Sequence, residues 1–546
     1  MPELLGAMYG HAATRPTAPA LLVAGSKRYR QFAYADLARE IDRWAARFTS
    51  LQFEPDAIVA IVLEHRYELY PAFLGAMRAG AIPTFLPFPT PKQDPVLYWN
   101  GQRELFARVR PACVVTESAL AGPLGALCPP PCIVHDIDTP WDVPAVDLPP
   151  LEAVERPERI ALLQHSSGTT GAKKGVALTY RAIAMHNAAA ARALEAQTSD
   201  LTVSWLPLYH DMGLIAAFLL PMWVGSRVVS LDAFEWLLNP ASLLEAIERY
   251  RATHAWLPNF AFEHLVRTHD GDRTYDLRSM RAFVDCSEPC RPATFARFAA
   301  TFAASGVTPD ALRTCYAMAE TVFAVTLGSP HEPARTICVD AAALRSHGAL
   351  AAAGPDGAEL LSCGRPLAGV ELRILATEGQ DVGEIAVRAP YLFSEYHRNP
   401  EATANAFVDG WYATGDLGFV RDGELFVCGR RKEMLVVHGQ NFYSNDVEAA
   451  VNEVEGVKPG RVAVFGRFDD ATGSEEAVVL AESEEADEAR KLALVRHIRS
   501  HVYSVLGLQV RTVEIRGVGE LIKTTSGKIS RDENERRFAQ AALSVS

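Results

Sequence analysis

The feature that most constrains the fold is an alternation of short apolar runs with helical patterns. "DAIVAIVLE" (56–64) reads as a buried strand, "ELYPAFLGAMRAG" (68–80) as a helix and "AIPTFLP" (81–87) as the next strand. "ERIALLQHS" (158–166) is a strand, Thr179 is placed to cap the helix "YRAIAMHNAAAARALEAQ" (180–197), and "TVSWLP" (202–207) follows. The helical "PASLLEAIERYRAT" (240–253) leads into "HAWLPN" (254–259), which repeats the cycle. Strands without a polar face need cover on both sides, so this order predicts parallel sheets flanked by helices. From about Leu361 the texture changes to alternating residues with Gly turns, "GVELRILATEGQDVGEIAVRAP" and "DGELFVCG", as in a small antiparallel β unit. After "GRRKE" (429–433) come a strand, a helix, two strands and the helix "EARKLALVRHIRSHVYSVL", a mixed α+β segment. The expected fold is therefore α/β: a large N-terminal domain of helix-flanked mixed sheets plus a small β unit, and a small C-terminal α+β domain. The boundaries read as 1–430 and 431–546, with "GRRKE" as the hinge.

At 546 residues the chain exceeds what one core supports, in line with two domains. The net charge of −13 argues against a general nucleic-acid binder, which needs a basic face. Its nine cysteines include the pairs Cys128/Cys132 and Cys286/Cys290, without a second pair or histidine cluster at zinc spacing. Reduced thiols in a cytoplasmic protein are the expectation. The start lacks the basic and apolar regions of a secretory signal. "GLIAAFLLPMWVG" (213–225) is too short to span a bilayer and reads as a buried helix, so no transmembrane segment is expected.

"HSSGTTGAKKGVAL" (165–178) joins a strand to apolar sequence through small hydroxyl residues, glycines and two lysines. Such a loop can turn backbone N–H groups and hydroxyls toward phosphate oxygens, with Lys174 adding charge. The Walker spacing fails, because Lys173 stands where its second glycine belongs. Taken alone, the loop fits a phosphate holder or a plain flexible turn.

The rest of the chain decides between them. "SSGTTGAKKGV", "YAMAET" (316–321), "YATGDLG" (412–418), "GRRKEMLVVHGQN" (429–441) and "TTSGKISR" (524–531) follow in order. Together they resemble the acyl-adenylate-forming superfamily of acyl-CoA ligases, peptide-synthetase adenylation domains and luciferases, over nearly the whole chain. "SWLPLYHDMGLI" (204–215), "RYRATHAWLPNFAFEHL" (249–265), "GVKPGRVAVFG" (456–466) and an extra segment between Thr326 and Leu361 look most like fatty acyl-AMP ligases. In those ligases an insertion at that place is thought to restrain the small domain from the CoA-using arrangement.

The resemblance implies two half-reactions. A carboxylate attacks the α-phosphorus of ATP, and a thiol then displaces AMP. Lys528 would bridge carboxylate and α-phosphate. Ser166, Ser167, Gly168, Thr169, Thr170, Gly171 and Lys174 would hold the β- and γ-phosphates, with Thr170 counted among the catalytic groups. Glu320 would hold Mg²⁺. Ser287, Glu288, Tyr316, Ala317, Met318 and Thr321 would surround the nucleotide. Asp416 would accept both ribose hydroxyls, which suits a carboxylate and not an amide, and Arg430 would reach ribose or phosphates. His210, Met212, Gly213 and Phe260 are candidates for the acyl site, where His210 reads equally as a core histidine. Trp205, Trp223, Trp256 and Phe262 read equally as acyl-site lining or as ordinary core. Lys432 matches the hinge position, which makes the small domain mobile.

Lys173 replaces a family proline, Ala317 a glycine, "CSEP" (286–289) a Gly-Ala-Glu-Pro stretch, and Glu395 a glycine. None removes a charged catalytic group. The expected activity is formation of acyl-AMP from a carboxylic acid, with a fatty acid expected, then transfer to a phosphopantetheine thiol of a carrier protein on a separate chain. The alternatives are an acyl- or aryl-CoA ligase using CoA, an enzyme that only transfers from preformed acyl-AMP, and a silent nucleotide-binding homologue. A monomer or homodimer is expected.

Overall fold

A computed structural model describes residues 3–25, 28–90, 95–141, 145–165, 174–353, 357–437, 440–469, 474–524 and 527–545. A nine-stranded sheet runs in the order Arg365–Pro366, Ala324–Leu327, Leu312–Ala317, Ala282–Cys286, His254–Leu257, Leu201–Ser204, Arg227–Ser230, Pro19–Gly25, Arg28–Ala33. Its strands from Leu312–Ala317 through Pro19–Gly25 are parallel, and both ends close with antiparallel strands. A four-stranded parallel sheet is built on Ile58–Val62, whose residues are buried throughout. A small antiparallel sheet (Ile160–His165, Gly175–Thr179, Glu395–Tyr396) packs its first strand against Ile82–Phe85 of that sheet. The crossovers supply the helices: Leu69–Arg78 is almost wholly buried, and Tyr180–Leu194 starts where Thr179 accepts the Ala182 N–H.

The expected helix at 213–225 is present and buried, but it opens as a π-helix, Met212–Leu219, before Leu220–Val224. Gly213 belongs to this wider winding, because a Cβ there would lie 2.3 Å from the Pro207 carbonyl oxygen. Wide turns of this kind are frequent beside functional sites.

An antiparallel sheet of Glu371–Leu375, Gly383–Arg388, Trp411–Arg421, Phe407–Val408 and Glu424–Arg430 forms the small β unit. Beyond Glu433 a separate apolar core gathers residues such as Leu435, Val447, Val464, Val479, Ile498 and Leu508. It is built from the hairpin Met434–Val437/Gln440–Tyr443, the sheet Val462–Asp469/Ser474–Glu482/Thr512–Arg516, and the helices Ser444–Asn452 and Glu488–Leu506. The extra segment forms a hairpin, Thr336–Val339 with Ala358–Leu361, around the helix Ala341–His347. Its Ile337, Leu344, Leu350 and Leu360 pack on the cluster of Val382, Leu417, Phe419 and Phe426, against which Met434 and Tyr443 from beyond Glu433 also pack. Among the described residues no helix is long and apolar enough to cross a membrane.

Candidate active site

A cavity of about 1310 Å³ lies where the carboxyl ends of the parallel strands face the C-terminal segment, the usual place for a ligand in open α/β sheets. Ser287, Glu288, Tyr316, Ala317, Asp416, Arg430, Phe260 and Lys528 all line it. Residues 166–173 lie outside the described residues, so the expected phosphate contacts of Ser166, Ser167, Gly168, Thr169, Thr170 and Gly171 have no structural account here, nor does Lys173.

Asp416 and Arg430 are direct partners across antiparallel strands. The Arg430 Nε donates to Asp416 Oδ1 at 2.9 Å, and the Tyr316 hydroxyl donates to Oδ2 at 2.7 Å. Burial pushes the Asp416 carboxyl above its ordinary value, while Arg430 and the Tyr316 hydroxyl pull it down. Each carboxylate oxygen keeps a lone pair beyond these bonds. The pair can therefore fix the carboxylate and still leave acceptors for a diol.

Lys528 enters from the C-terminal segment and donates to the Ser287 carbonyl oxygen at 2.6 Å. Ser287 has a φ of 69°, uncommon for a residue with a side chain, just past the strand Ala282–Cys286. The neighbouring Glu288 accepts the Phe260 N–H at 2.9 Å and so ties down the helix Asn259–Thr268. Arg291 donates to the Asn445 carbonyl oxygen at 3.1 Å, across to the C-terminal segment.

Glu320 stands in a single 3₁₀ turn, Ala319–Thr321, held by Thr321, whose buried hydroxyl is engaged with the Met318 and Phe323 carbonyls. Tyr396 donates to Glu320 Oε1 at 2.8 Å, and the Lys174 ammonium lies 4.3 Å from the Tyr396 ring centre. Lys174 and Glu320 thus flank one tyrosine, at the end of the undescribed loop. A buried carboxylate at that point has the hard oxygen donors that suit Mg²⁺.

Away from Asp416 and Lys528, the cavity is walled by Leu63, Phe85, Phe88, Leu208, Phe234 and Leu237. Trp205 and Trp236 stack with centroids 3.8 Å apart, and Phe260 meets both edge-on. Its deep wall carries a polar pair, the Tyr70 hydroxyl donating to Ser230 Oγ at 2.5 Å. Phe262 and Trp256 are core residues, and Trp223 lies on a different surface groove with His11. Met212 is buried in the π-helix, and the His210 ring stands 4.9 Å from Tyr209.

The sequence reading singled out His210 and passed over its neighbour. Burial raises the Asp211 carboxyl to about 6, against the pull of the Met212 N–H and Lys528, and Glu320 adds to the rise. Asp211 is thus within electrostatic reach of both Lys528 and Glu320. Arg531 was also passed over; it forms ion pairs with Glu433 at 2.5 Å and Glu448 at 2.6 Å, joining the Lys528 loop to the turn Arg431–Glu433. Its signal was present, three residues past Lys528 in "GKISR".

A large cleft, a buried carboxylate held by an arginine and a tyrosine, and a lysine delivered from a second core suit an adenylate-forming class of site. The chain belongs to the AMP-binding enzyme family, whose match spans residues 9–397. It is 31% identical over 520 residues to 4-hydroxyphenylalkanoate adenylyltransferase of Mycobacterium tuberculosis, covering 88% of this chain and 82% of that protein. It is 31% identical over 409 residues to the medium-chain-fatty-acid–[acyl-carrier-protein] ligase JamA of Moorena producens, covering 71% and 69%. Its fold matches a solved structure from a study of fatty acyl-adenylate ligases from E. coli and L. pneumophila. That match has a TM-score of 0.90 and 24% identity, over 100% of this chain and 99% of that one.

Proposed function

We propose that this chain activates a carboxylic acid with ATP to an acyl-AMP and passes the acyl group to the phosphopantetheine thiol of a carrier protein on another chain. The observation that carries this reading is the placement of Lys528 at Ser287, in one cavity with Asp416, Arg430 and an apolar extension. Carboxylate and triphosphate repel: two unit charges 4 Å apart cost about 4 kcal/mol at an effective dielectric of 20. Lys528 offsets that repulsion at the α-phosphate, and Lys174 and the 166–173 loop hold the outgoing pyrophosphate. Asp416 and Arg430 keep ribose and α-phosphate fixed for in-line attack. Glu320 would hold Mg²⁺, which supplies charge neutralisation on the phosphate oxygens when bound. Ser287, Glu288, Tyr316, Ala317 and Met318 would wall the base, and Phe260 with the Trp205–Trp236 stack borders the acyl group.

The 431–546 segment acts as a mobile unit turning about Lys432. The extra segment supports a carrier rather than free CoA as acceptor, because its apolar side chains share one cluster with Met434 and Tyr443 just beyond that turn. The relatives are named for hydroxyphenylalkanoic and medium-chain fatty acids, and both classes suit an apolar pocket with a Tyr70–Ser230 pair in its wall. The test uses radiolabelled ATP, Mg²⁺ and a panel of fatty and hydroxyphenyl acids, with and without CoA. Acyl-AMP that forms and ignores CoA is the expected result. Acyl-CoA as the product would move the chain to the CoA ligases. No adenylate from any acid, with transfer from synthetic acyl-AMP intact, would restrict it to the second half-reaction.

A further inference from the structure

The wall of the cavity carries two buried hydroxyls that the adenylation chemistry does not use. Tyr70 and Ser230 both line it and are only 1% and 7% exposed. Tyr70 stands in the first turn of the helix Leu69–Arg78, and Ser230 closes the strand Arg227–Ser230 of the nine-stranded sheet. The Tyr70 ring is held edge-on against Phe218 of the π-helix, with centroids 4.8 Å apart. Its hydroxyl donates to Ser230 Oγ at 2.5 Å, and neither hydroxyl makes another hydrogen bond among the described residues. The Ser230 proton thus has no acceptor there, while the Tyr70 oxygen keeps its lone pairs.

His65 lines the same cavity and belongs to the same end of it. Its Nε2 donates to the Ala24 carbonyl oxygen at 3.0 Å, and Ala24 follows Val23, the strand partner of Ser230. A carbonyl only accepts, so Nε2 carries the ring proton. Burial holds the imidazole below its ordinary value, which keeps it neutral and leaves Nδ1 as an acceptor. The reacting end of the acid is marked by Lys528 at the Ser287 carbonyl, just past the strand Ala282–Cys286. Arg227–Ser230 lies three strands from that one across the sheet, about 14 Å at about 4.8 Å per strand. At about 1.3 Å per atom, from bonds of about 1.5 Å, about ten or more chain atoms cover that span. Leu63, Leu69, Phe85 and Leu208 of the same cavity offer apolar cover for such a chain.

We propose that Tyr70 and Ser230 read a hydroxyl at the far end of the acid, so that this chain selects acids ending in a phenol or an alcohol over acids ending in a methyl group. The ligand hydroxyl accepts the Ser230 proton and donates to the Tyr70 oxygen or to His65 Nδ1. A methyl end instead buries the Ser230 proton without an acceptor. Such a mismatch discriminates more strongly than a methylene lost from an apolar pocket.

This selection rests on the adenylation reading, and the test separates the two. The full chain is given matched pairs of acids: an ω-hydroxy acid of about ten chain atoms with its methyl-ended equivalent, and a para-hydroxyphenylalkanoic acid with its para-methyl equivalent. ATP-dependent pyrophosphate release gives kcat/KM for each. Expected is a preference of about tenfold or more for the hydroxyl member of at least one pair, and the pair with the larger ratio tells phenol from alcohol. Tyr70→Phe and Ser230→Ala should each pull that ratio toward one, whereas hydroxyls that only tie helix to sheet would affect both members alike. Ratios of one or below in both pairs overturn the proposal, and so do ratios that both variants leave unaltered. The native ratios decide by themselves if neither variant folds. No pyrophosphate release from any acid would overturn the adenylation reading. The preference is then read from calorimetric binding of the same acids, where equal affinities within each pair overturn it.

Discussion

Lys528 and Asp416 make opposite demands on their surroundings. Lys528 reaches its carbonyl from a short loop and carries little packing, so Lys528→Ala should leave Tm within a degree or two. Adenylation measured by pyrophosphate release should fall by about 10²–10³ or more, the loss typical of a removed charge-stabilising donor. An unchanged rate would remove the lysine from the chemistry. Asp416 is buried and holds two partners, so Asp416→Asn swaps acceptor capacity for an N–H₂ facing Arg430. The KM for ATP should rise about tenfold or more and Tm should drop by several degrees. Tyr316→Phe, which removes one donor and keeps the carboxylate, should show the milder form of both changes.

At the scale of elements, the first helix, Leu4–Thr14, has no cap from its own neighbours. Glu155 supplies one from far along the chain, accepting the Leu5 and Gly6 N–H groups at 2.6 and 2.8 Å. Burial outweighs those bonds and raises the carboxyl from 4.5 to about 7. Between these values the folded chain keeps a proton that the unfolded chain has released. Stability from this group is therefore full below about pH 4.5 and is lost as pH rises through 7. The loss is at most about 3 kcal/mol at about 1.4 kcal/mol per pH unit. Chemical denaturation across pH 5–8 should show that slope, and Glu155→Gln should flatten it. A slope unchanged in the variant would assign the proton elsewhere.

Most elements were legible because their signal is local. Apolar runs gave the parallel strands, except the run at 160–165, which pairs antiparallel with Gly175–Thr179; Thr179 gave a helix start, and alternation gave the antiparallel unit. The π-helix was not legible, since its cause is the Pro207 carbonyl pressed against Gly213, a contact between separate turns of chain. The same holds for Asp211, whose importance comes from what folding brings near it. Lys528, Asp416, Glu320 and Arg531 sit inside motifs, although the motif does not disclose Arg531's partners Glu433 and Glu448.

At the scale of the whole molecule, polar links join the two cores, Lys528 on Ser287 and Arg291 on Asn445 and Asp446, and the extra segment shares an apolar cluster with Met434 and Tyr443. On the proposed division these contacts hold the arrangement that makes the adenylate, and a turn about Lys432 releases it. Lys432→Pro fixes φ in the middle of the turn Arg431–Glu433. It should keep pyrophosphate release within a few-fold and cut transfer to the thiol far more, each half-reaction measured alone. Equal losses in both would sink the hinge. Deleting Pro330–Gly357 should admit CoA as an acceptor, read by acyl-CoA formation.

The pairing of Asp416 with Arg430 has a consequence for the handover itself. Arg430 ends the strand that runs into the proposed hinge, and Asp416 faces it from the neighbouring strand Trp411–Arg421, so on the proposed division a swing that carries Lys528 away would leave the grip on the ribose unaltered. The activated acid would then be a captive through the exchange of tools around it, never a solute. A chase with unlabelled acid, added after one turnover's worth of adenylate has formed, should leave the label committed to the carrier thiol.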